Sequence, residues 1–222
     1  MIDWRNITTV FLDMDGTLLD LNFDNHFWLE FVPERYAQLH GLSLDEAKSV
    51  LMPRFKATEG RLEWYCLDYW TEQLGLDMAE MKAELAGFIA ILPHVTEFLE
   101  YLQRLEKRVV LATNAHPKSL GLKMERTCLH VFFDTIVSSH DFGSPKEDRA
   151  FWDRIRNVEP YDPRMSLLVD DSLAVLRSAR RAGLAHQVAV RKNDSRRPAR
   201  DITEFPAIED FRELMLPGYS GS

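Results

Sequence analysis

The chain has 222 residues, of which 45% are hydrophobic and 28% are charged, and its formal net charge is −8. This composition is ordinary for a folded globular protein and excludes a disordered chain. The acidic balance argues against a surface that binds duplex nucleic acid, which needs a basic face. The length is sufficient for a full hydrophobic core and a smaller inserted or appended module.

The sequence also argues against a membrane-spanning protein and against a disulfide-rich protein. No apolar run approaches the ~20 residues that a membrane-spanning helix needs, and the N-terminal segment lacks the pattern of a signal peptide. We therefore expect a cytoplasmic protein with no membrane partner. Two cysteines, Cys66 and Cys128, are too few for a disulfide framework. We expect both to be buried as small hydrophobic residues.

The first predicted strand, residues 8–13, is an apolar run that ends in Asp13, with Asp15, Gly16 and Thr17 directly behind it. In an open α/β sheet, ligands bind outside the carboxyl ends of the strands, where both acids would lie. Two buried carboxylates this close need a counterion, and a divalent cation supplies one. An ordinary strand-to-turn junction would have similar residues, because Asp and Gly both favour turns.

Residues 21–92 contain no convincing strand but have several amphipathic helical patterns. The predicted helices span residues 23–39, 44–55, 62–74 and 78–89. A helical block between two strands indicates a module inserted into a loop, where α/β folds place specificity. We call residues 21–92 the cap and expect residues 1–20 and 93–222 to form the core.

Strands and helices are predicted to alternate after the cap. Four strand-like runs span residues 108–113, 134–138, 166–170 and 186–190, and helices are predicted at residues 95–106, 148–157 and from Ser172 to Gly183. This alternation predicts an α/β fold with a doubly wound parallel sheet. Residues 191–206 are expected to form a polar surface connection, and residues 207–216 a closing helix.

Polar residues follow three of the later strands. Thr113 and Asn114 end the second strand, Lys146 lies in a loop after the third, and Asp170 and Asp171 end the fourth. Each has an ordinary structural explanation as a turn residue, an exposed lysine or a helix cap. A parallel sheet would nevertheless bring a hydroxyl, a lysine and four carboxylates to one edge, which favours a functional site.

The ordered set Asp13-x-Asp15-Gly16-Thr17, Thr113-Asn114, Lys146 and Asp170-Asp171 resembles the four motifs of the haloacid dehalogenase superfamily. The helical block after the first motif is similar to the C1-type cap of that superfamily. The resemblance covers nearly the whole chain and implies a Rossmann-like core. Residues 23–28, 64–70 and 113–117 further resemble the bacterial GMP/IMP nucleotidases, a family of purine 5′-nucleotidases.

The residue types and the resemblance together imply a two-step phosphoryl transfer. Asp13 would attack the phosphorus and form an aspartyl phosphate. Asp15 would protonate the leaving alcohol and then accept a proton from the attacking water. The expected substrate-binding residues are Thr113, Asn114, Lys146 and His116.

Mg²⁺ is the expected cofactor, because hard oxygen ligands suit it better than they suit zinc. The resemblance implies that the Asp13 carboxylate, the Asp15 main-chain carbonyl and Asp171 hold the ion. Asp170 would bind it directly or through water.

Cap residues near this site are further candidates. Tyr65 or Tyr69 would stack on a base, although aromatic residues at helical spacing are typical of a cap core. Asp24 and Asn25 follow the first motif closely and are candidates for contacts with the leaving group.

The sequence therefore predicts a Mg²⁺-dependent phosphomonoesterase that hydrolyses purine 5′-mononucleotides such as GMP and IMP. A sugar phosphomutase similar to β-phosphoglucomutase, or a broad sugar-phosphate phosphatase, is the alternative. A non-enzymatic binding module is disfavoured, because it has no need of clustered acids. The expected partner is a small phosphorylated metabolite and not a nucleic-acid polymer, and the oligomeric state stays open.

Overall fold

The computed structural model describes residues 2–215. A six-stranded sheet forms the centre of the protein, and all of its neighbouring strands are parallel. The strands are β1 (Thr9–Leu12), β2 (Arg108–Thr113), β3 (Thr135–Ser138), β4 (Ser166–Asp170), β5 (His186–Val190) and β6 (Ala207–Ile208), and their spatial order is β3-β2-β1-β4-β5-β6. The predicted doubly wound parallel sheet is confirmed.

The described residues also form ten α-helices, six of which lie within residues 21–92. These six are α1 (Asn22–His26), α2 (Val32–His40), α3 (Leu44–Thr58), α4 (Leu62–Tyr65), α5 (Leu67–Leu74) and α6 (Met78–Glu84). The others are α7 (Val95–Arg104), α8 (Pro117–Thr127), α9 (Arg149–Val158) and α10 (Leu173–Arg181). Residues 21–92 are therefore helical and contain no strand, and their role as a separate cap stays a prediction.

The path of the chain places Asp13 where the direction of winding reverses. The chain adds β2 and β3 on one side of β1 and then crosses over to add β4, β5 and β6 on the other side. In open α/β sheets, ligands bind outside the strand ends at such a reversal. Asp13 follows β1 directly, and its N–H donates to the carbonyl of Val169 in β4 at 3.0 Å.

Both faces of the sheet are buried, which explains why β1 is apolar throughout. Val10 and Leu12 belong to the apolar core on the α7 face, whereas Phe11 points to the opposite core with Trp152 of α9 and Leu176 of α10. Successive strand side chains alternate between faces, so a continuous apolar run supplies both cores. Packing on both faces thereby fixes the position of β1 and of the acids that follow it.

The helices of the cap have an apolar core of their own. Phe27, Leu51, Phe55 and Trp70 are among its buried members. The two chain connections between this helical layer and the sheet lie side by side, because Leu92 N–H donates to the Leu18 carbonyl and Asp20 N–H to the Ala90 carbonyl, each at 2.9 Å.

Two predicted helices of the cap are shorter than expected. The predicted helix 62–74 is interrupted at Cys66, whose backbone is extended and whose sulfur accepts the Tyr69 N–H at 3.4 Å as the N-cap of α5. The predicted helix 78–89 ends at Glu84, and a 3₁₀ turn at Ala86–Phe88 follows it.

The predicted closing helix 207–216 is wrong over the described residues, which end at Met215. Ala207 and Ile208 instead pair with Ala189 and Val190 as β6, and a 3₁₀ turn follows at Phe211–Leu214. The buried pair Phe211 and Leu214, three residues apart, produced the helical pattern. That spacing equally fits a 3₁₀ turn, which has three residues per turn.

Two further expectations are corrected. Cys128 is exposed at the end of α8 and Cys66 is only half-buried, and both thiols are free. Residues 191–206 form no helix or strand, but they are not simply a surface connection, because Asn193 and Asp194 are buried. Within residues 2–215, no helix is long and apolar enough to cross a membrane.

Candidate active site

The turn after β1 brings the chain back against the end of β4. Gly16 has a φ of +79°, a conformation that side chains with a Cβ rarely adopt. A Cβ on Gly16 would lie 2.8 Å from Oδ2 of Asp171. The Asp171 N–H donates to Oγ1 of Thr17 at 3.1 Å. Gly16 and Thr17 thus allow the first turn to pack directly on Asp171.

Lys146 forms ion pairs with two of the predicted site acids. Its Nζ lies 2.5 Å from Oδ1 of Asp13 and 2.7 Å from Oδ2 of Asp170, and all three side chains are buried. The two carboxylates raise the pKa of the Lys146 ammonium although burial lowers it, so the group is held charged. Trp152 Nε1 donates to the Lys146 carbonyl at 2.9 Å, which fixes the loop that carries the lysine.

Three carboxylates converge beside Lys146. Oxygens of Asp13, Asp170 and Asp171 all lie within 4.8 Å of one another. Burial raises the pKa of Asp13 to about 7 and the pKa of both Asp170 and Asp171 to about 6. This set of hard oxygen donors fits a divalent cation such as Mg²⁺ or Ca²⁺.

Asp171 is oriented by the segment that follows β5. Asn193 Nδ2 donates to Oδ2 of Asp171 at 2.8 Å, and Arg200 Nη2 donates to the Asp171 carbonyl at 2.7 Å. The Arg200 guanidinium also lies 3.8 Å from Oδ2 of Asp171, but its side chain is 36% exposed. Sequence reasoning missed both residues, because it assigned residues 191–206 to a surface connection.

Asp15 belongs to a chain of buried ions that the sequence did not predict. Lys123 Nζ of α8 lies 2.6 Å from Oδ1 of Asp15 and 2.7 Å from Oδ2 of Asp24, and Lys82 Nζ of α6 lies 2.5 Å from Oδ1 of Asp24. The side chains of Lys123 and Lys82 are 1% and 3% exposed. Charges of opposite sign alternate along this chain, so no member lacks a counterion.

The expected substrate-binding residues all line the same cavity, but both polar atoms of the Asn114 side chain already form hydrogen bonds within the protein. Its Oδ1 accepts the Lys146 N–H, and its Nδ2 donates to Oε2 of Glu147, both at 2.9 Å. Thr113 Oγ1 accepts the Ala115 N–H at 3.0 Å. His116 is the N-cap of α8 and is buried. Asn114 thus fixes the Lys146 loop.

A cavity of about 290 Å³ connects these groups with the cap. Asp13, Asp15 and Lys146 lie on its core side, and Trp28, Trp64 and Tyr65 lie on its cap side. The rings of Trp28 and Trp64 stack with centroids 5.7 Å apart.

Other cap candidates differ in their positions. Asp24 and Asn25 line the cavity, and Tyr65 both lines it and donates its hydroxyl to Oε1 of Glu147 at 2.5 Å. Tyr69 instead packs against Trp70 with ring centroids 5.1 Å apart and is not among the residues lining the cavity. Of the two predicted stacking residues, only Tyr65 is therefore placed to meet a ligand.

Comparison with known proteins decides the family. A model of the haloacid dehalogenase-like hydrolases matches residues 7–183. The chain belongs to this hydrolase family. The resemblance on which the sequence analysis relied is thus confirmed.

Individual relatives of the family span almost the whole chain. The protein is 38% identical over 214 residues to the GMP/IMP nucleotidase YrfG of Escherichia coli (strain K12), covering 96% of each chain. It is 26% identical to a phosphoglycolate phosphatase of Pseudomonas syringae pv. tomato, over 94% of this chain and 78% of the other. The structure of a haloacid dehalogenase-type phosphatase from Thermococcus onnurineus superposes with a TM-score of 0.77 at 21% identity, covering 94% and 96% of the two chains. The similarity to the Thermococcus onnurineus structure is evidence about the fold alone.

We predict that Gly16→Ala lowers the hydrolysis of a chromogenic phosphate monoester by on the order of 100-fold, because the new Cβ displaces the Asp171 carboxylate. Gly183→Ala is the matched control, since Gly183 also has a positive φ (+97°) but nothing lies within 4 Å of its Cβ position. The control should lose stability and keep its activity. Equal activities of the two variants would contradict the prediction.

Removing the Lys123 ammonium should destabilise the fold. Lys123→Met leaves Asp15 without its ion pair, and we expect the free energy of unfolding in urea to fall by about 3–5 kcal/mol. Lys118→Met is the matched control on the same helix, because Lys118 pairs with Asp68 at the exposed surface. The control should unfold at nearly the parent's urea concentration. A Lys123→Met protein as stable as the control would show that the buried chain of ions contributes nothing.

Proposed function

We propose that the protein is a Mg²⁺-dependent phosphomonoesterase that hydrolyses purine 5′-mononucleotides such as GMP and IMP to nucleoside and phosphate. The observation that carries this proposal is the convergence of Asp13, Lys146, Asp170 and Asp171 beneath a cavity with aromatic walls. The 38% identity to a GMP/IMP nucleotidase over 96% of the chain supports the choice of substrate.

Asp13 is the proposed nucleophile. Lys146 binds Oδ1 of Asp13, which fixes the carboxylate and favours its ionised form. The other oxygen attacks the phosphorus, the P–O bond to the nucleoside breaks, and an aspartyl phosphate forms. Water then attacks this phosphorus and releases inorganic phosphate with free Asp13, which divides one difficult displacement into two easier ones.

Asp15 is the proposed general acid and base. It donates its proton to the departing 5′ oxygen in the first step and accepts a proton from the attacking water in the second. Burial raises the pKa of Asp15, which favours the protonated form that the first step needs. The Lys123 ammonium lowers the same pKa and supports the ionised form that the second step needs.

The carboxylates of Asp13, Asp170 and Asp171 would hold Mg²⁺, together with the main-chain carbonyl of Asp15. When bound, the ion would offset the repulsion between these carboxylates and the negatively charged phosphate. Asn193 orients Asp171 for this role through its hydrogen bond to Oδ2.

Residues around the cavity are proposed to bind the substrate. Thr113 donates its hydroxyl hydrogen to a phosphate oxygen, and Lys146 supplies a positive charge. Ser119 of α8 also lines the cavity, and its buried hydroxyl has no partner among residues 2–215. His116 contacts the nucleoside, and the rings of Trp28 and Tyr65 face its base.

Residues 21–92 are proposed to act as the cap, which supplies the groups around the leaving nucleoside, while residues 1–20 and 93–222 form the core. The substrate is a small metabolite and not a polymer, because the cavity is only about 290 Å³. We further propose that the protein works in the cytoplasm, where its two free thiols stay reduced.

Phosphate release from a panel of nucleotides and sugar phosphates tests the proposal. With Mg²⁺ present, GMP and IMP should have the highest kcat/KM, and Asp13→Asn should release no phosphate because an amide cannot form the aspartyl phosphate. Isomerisation of a sugar 1-phosphate without free phosphate would favour a phosphomutase. Substantial phosphate release by Asp13→Asn would contradict the mechanism.

A further inference from the structure

A second group of metal-ligating side chains lies beside the site described above and shares His116 with it. Ligand atoms of Cys66, His116 and His140 all lie within 4.8 Å of one another. Cys66 lies between α4 and α5 in the cap, His116 begins α8, and His140 lies in a 3₁₀ turn after β3. The imidazole centroids of the two histidines are 5.0 Å apart. Three separate segments thus bring one sulfur and two imidazoles together.

His140 has a ring nitrogen without a partner. Its Nε2 is buried and has no hydrogen-bond partner among residues 2–215. A buried polar atom normally has a partner, so this nitrogen is available to bind a metal ion.

The other two side chains are also suited to a metal. At His116, Nδ1 accepts the Lys118 N–H at 3.4 Å, so Nε2 is the nitrogen that remains for a metal. Within residues 2–215, the Cys66 sulfur accepts one hydrogen bond, from the Tyr69 N–H at 3.4 Å. The Asp68 carboxylate lies 3.6 Å from Nε2 of His116 and provides a nearby negative charge.

This combination of donors favours zinc over magnesium. Thiolate and imidazole ligands are typical of Zn²⁺, which binds four ligands in a tetrahedron, whereas Mg²⁺ prefers oxygen. Zn–S and Zn–N bond lengths separate the ligand atoms of such a site by ~3.5 Å. The three ligand atoms, which lie within 4.8 Å of one another, therefore need to approach by at most about 1.3 Å.

We propose that Cys66, His116 and His140 form a second metal site that binds Zn²⁺, with Asp68 or water as the fourth ligand. Cys66 and Asp68 belong to the cap and the histidines to the core, so the bound ion connects the two. Binding also releases the Cys66 thiol proton to solvent. Because a closed cap retains product, occupancy slows turnover. This second consequence rests on the proposed function.

Cobalt(II) added to the protein in the presence of excess Mg²⁺ tests the site itself. We expect one equivalent to produce the intense near-ultraviolet band of a cobalt–thiolate bond. Cys66→Ser should abolish the band, and His140→Gln should weaken cobalt binding at least about tenfold, which is the loss of about 1.4 kcal/mol. Cys128→Ser is the matched control and should keep the band, because Cys128 lies elsewhere on the surface.

Zinc inhibition of GMP hydrolysis at saturating Mg²⁺ tests the effect on turnover. The parent and Cys128→Ser should be inhibited by low zinc concentrations, and Cys66→Ser should need at least about tenfold more. Serine retains a cap for α5, so this variant keeps its fold and basal activity.

The two experiments separate the possible failures. Equal zinc inhibition of the parent and Cys66→Ser would mean that zinc acts at the Asp13 cluster, and it would overturn the effect on turnover. A parent without the cobalt band, or a Cys66→Ser variant that retains it, would overturn the site. The cobalt measurement needs no turnover, so it gives its answer even if GMP is not a substrate.

Discussion

Buried negative charge at the end of β1 is the constraint on which this structure depends. Four carboxylates (Asp13, Asp15, Asp170 and Asp171) meet there, and two buried ammonium groups, Lys146 and Lys123, face them. The Asp24–Lys82 pair is neutral by itself, so with all four acids ionised these groups carry two more negative than positive charges. Burying such an excess costs much free energy unless a cation offsets it. The hydrogen bonds of Thr17, Asn114 and Asn193 hold this unfavourable arrangement in place.

Several polar contacts, three of them from Asp24, Tyr65 and Asp68, connect the cap to the core. Asp24 pairs with Lys123 beside the connections, Tyr65 donates to Glu147 next to Lys146, and Asp68 pairs with Lys118 at the start of α8. Each contact links a cap residue to a segment that also carries a site residue. Movement of the cap would therefore change the surroundings of Asp15 and the Lys146 loop together. The buried first contact is the strong one, whereas the exposed third contact contributes little.

Much of the fold could be predicted because β1, β2 and β4 contain continuous apolar runs, and the site acids directly follow the runs of β1 and β4. The missed residues depend on contacts distant in sequence. Lys123 and Lys82 lie 108 and 58 residues from their acidic partners, and a lysine is almost never fully buried unless it is paired. A signal for Lys123 did exist, since it follows Ser119 by one helical turn on the face of α8 that is buried. The two-residue strand β6 had no such signal, because pairing with β5 rather than local pattern defines it.

Calorimetric titration of Mg²⁺ into the protein tests the central claim most directly, because it measures whether the cluster with excess negative charge binds a divalent ion. We expect one Mg²⁺ to bind per chain, and we expect Asp171→Asn, which removes one negative charge, to weaken binding by on the order of 100-fold. Asp162→Asn provides the control, because Asp162 lies outside the cluster at the start of a 3₁₀ turn. Equal Mg²⁺ affinity of the parent and Asp171→Asn, or no binding to the parent, would contradict the account.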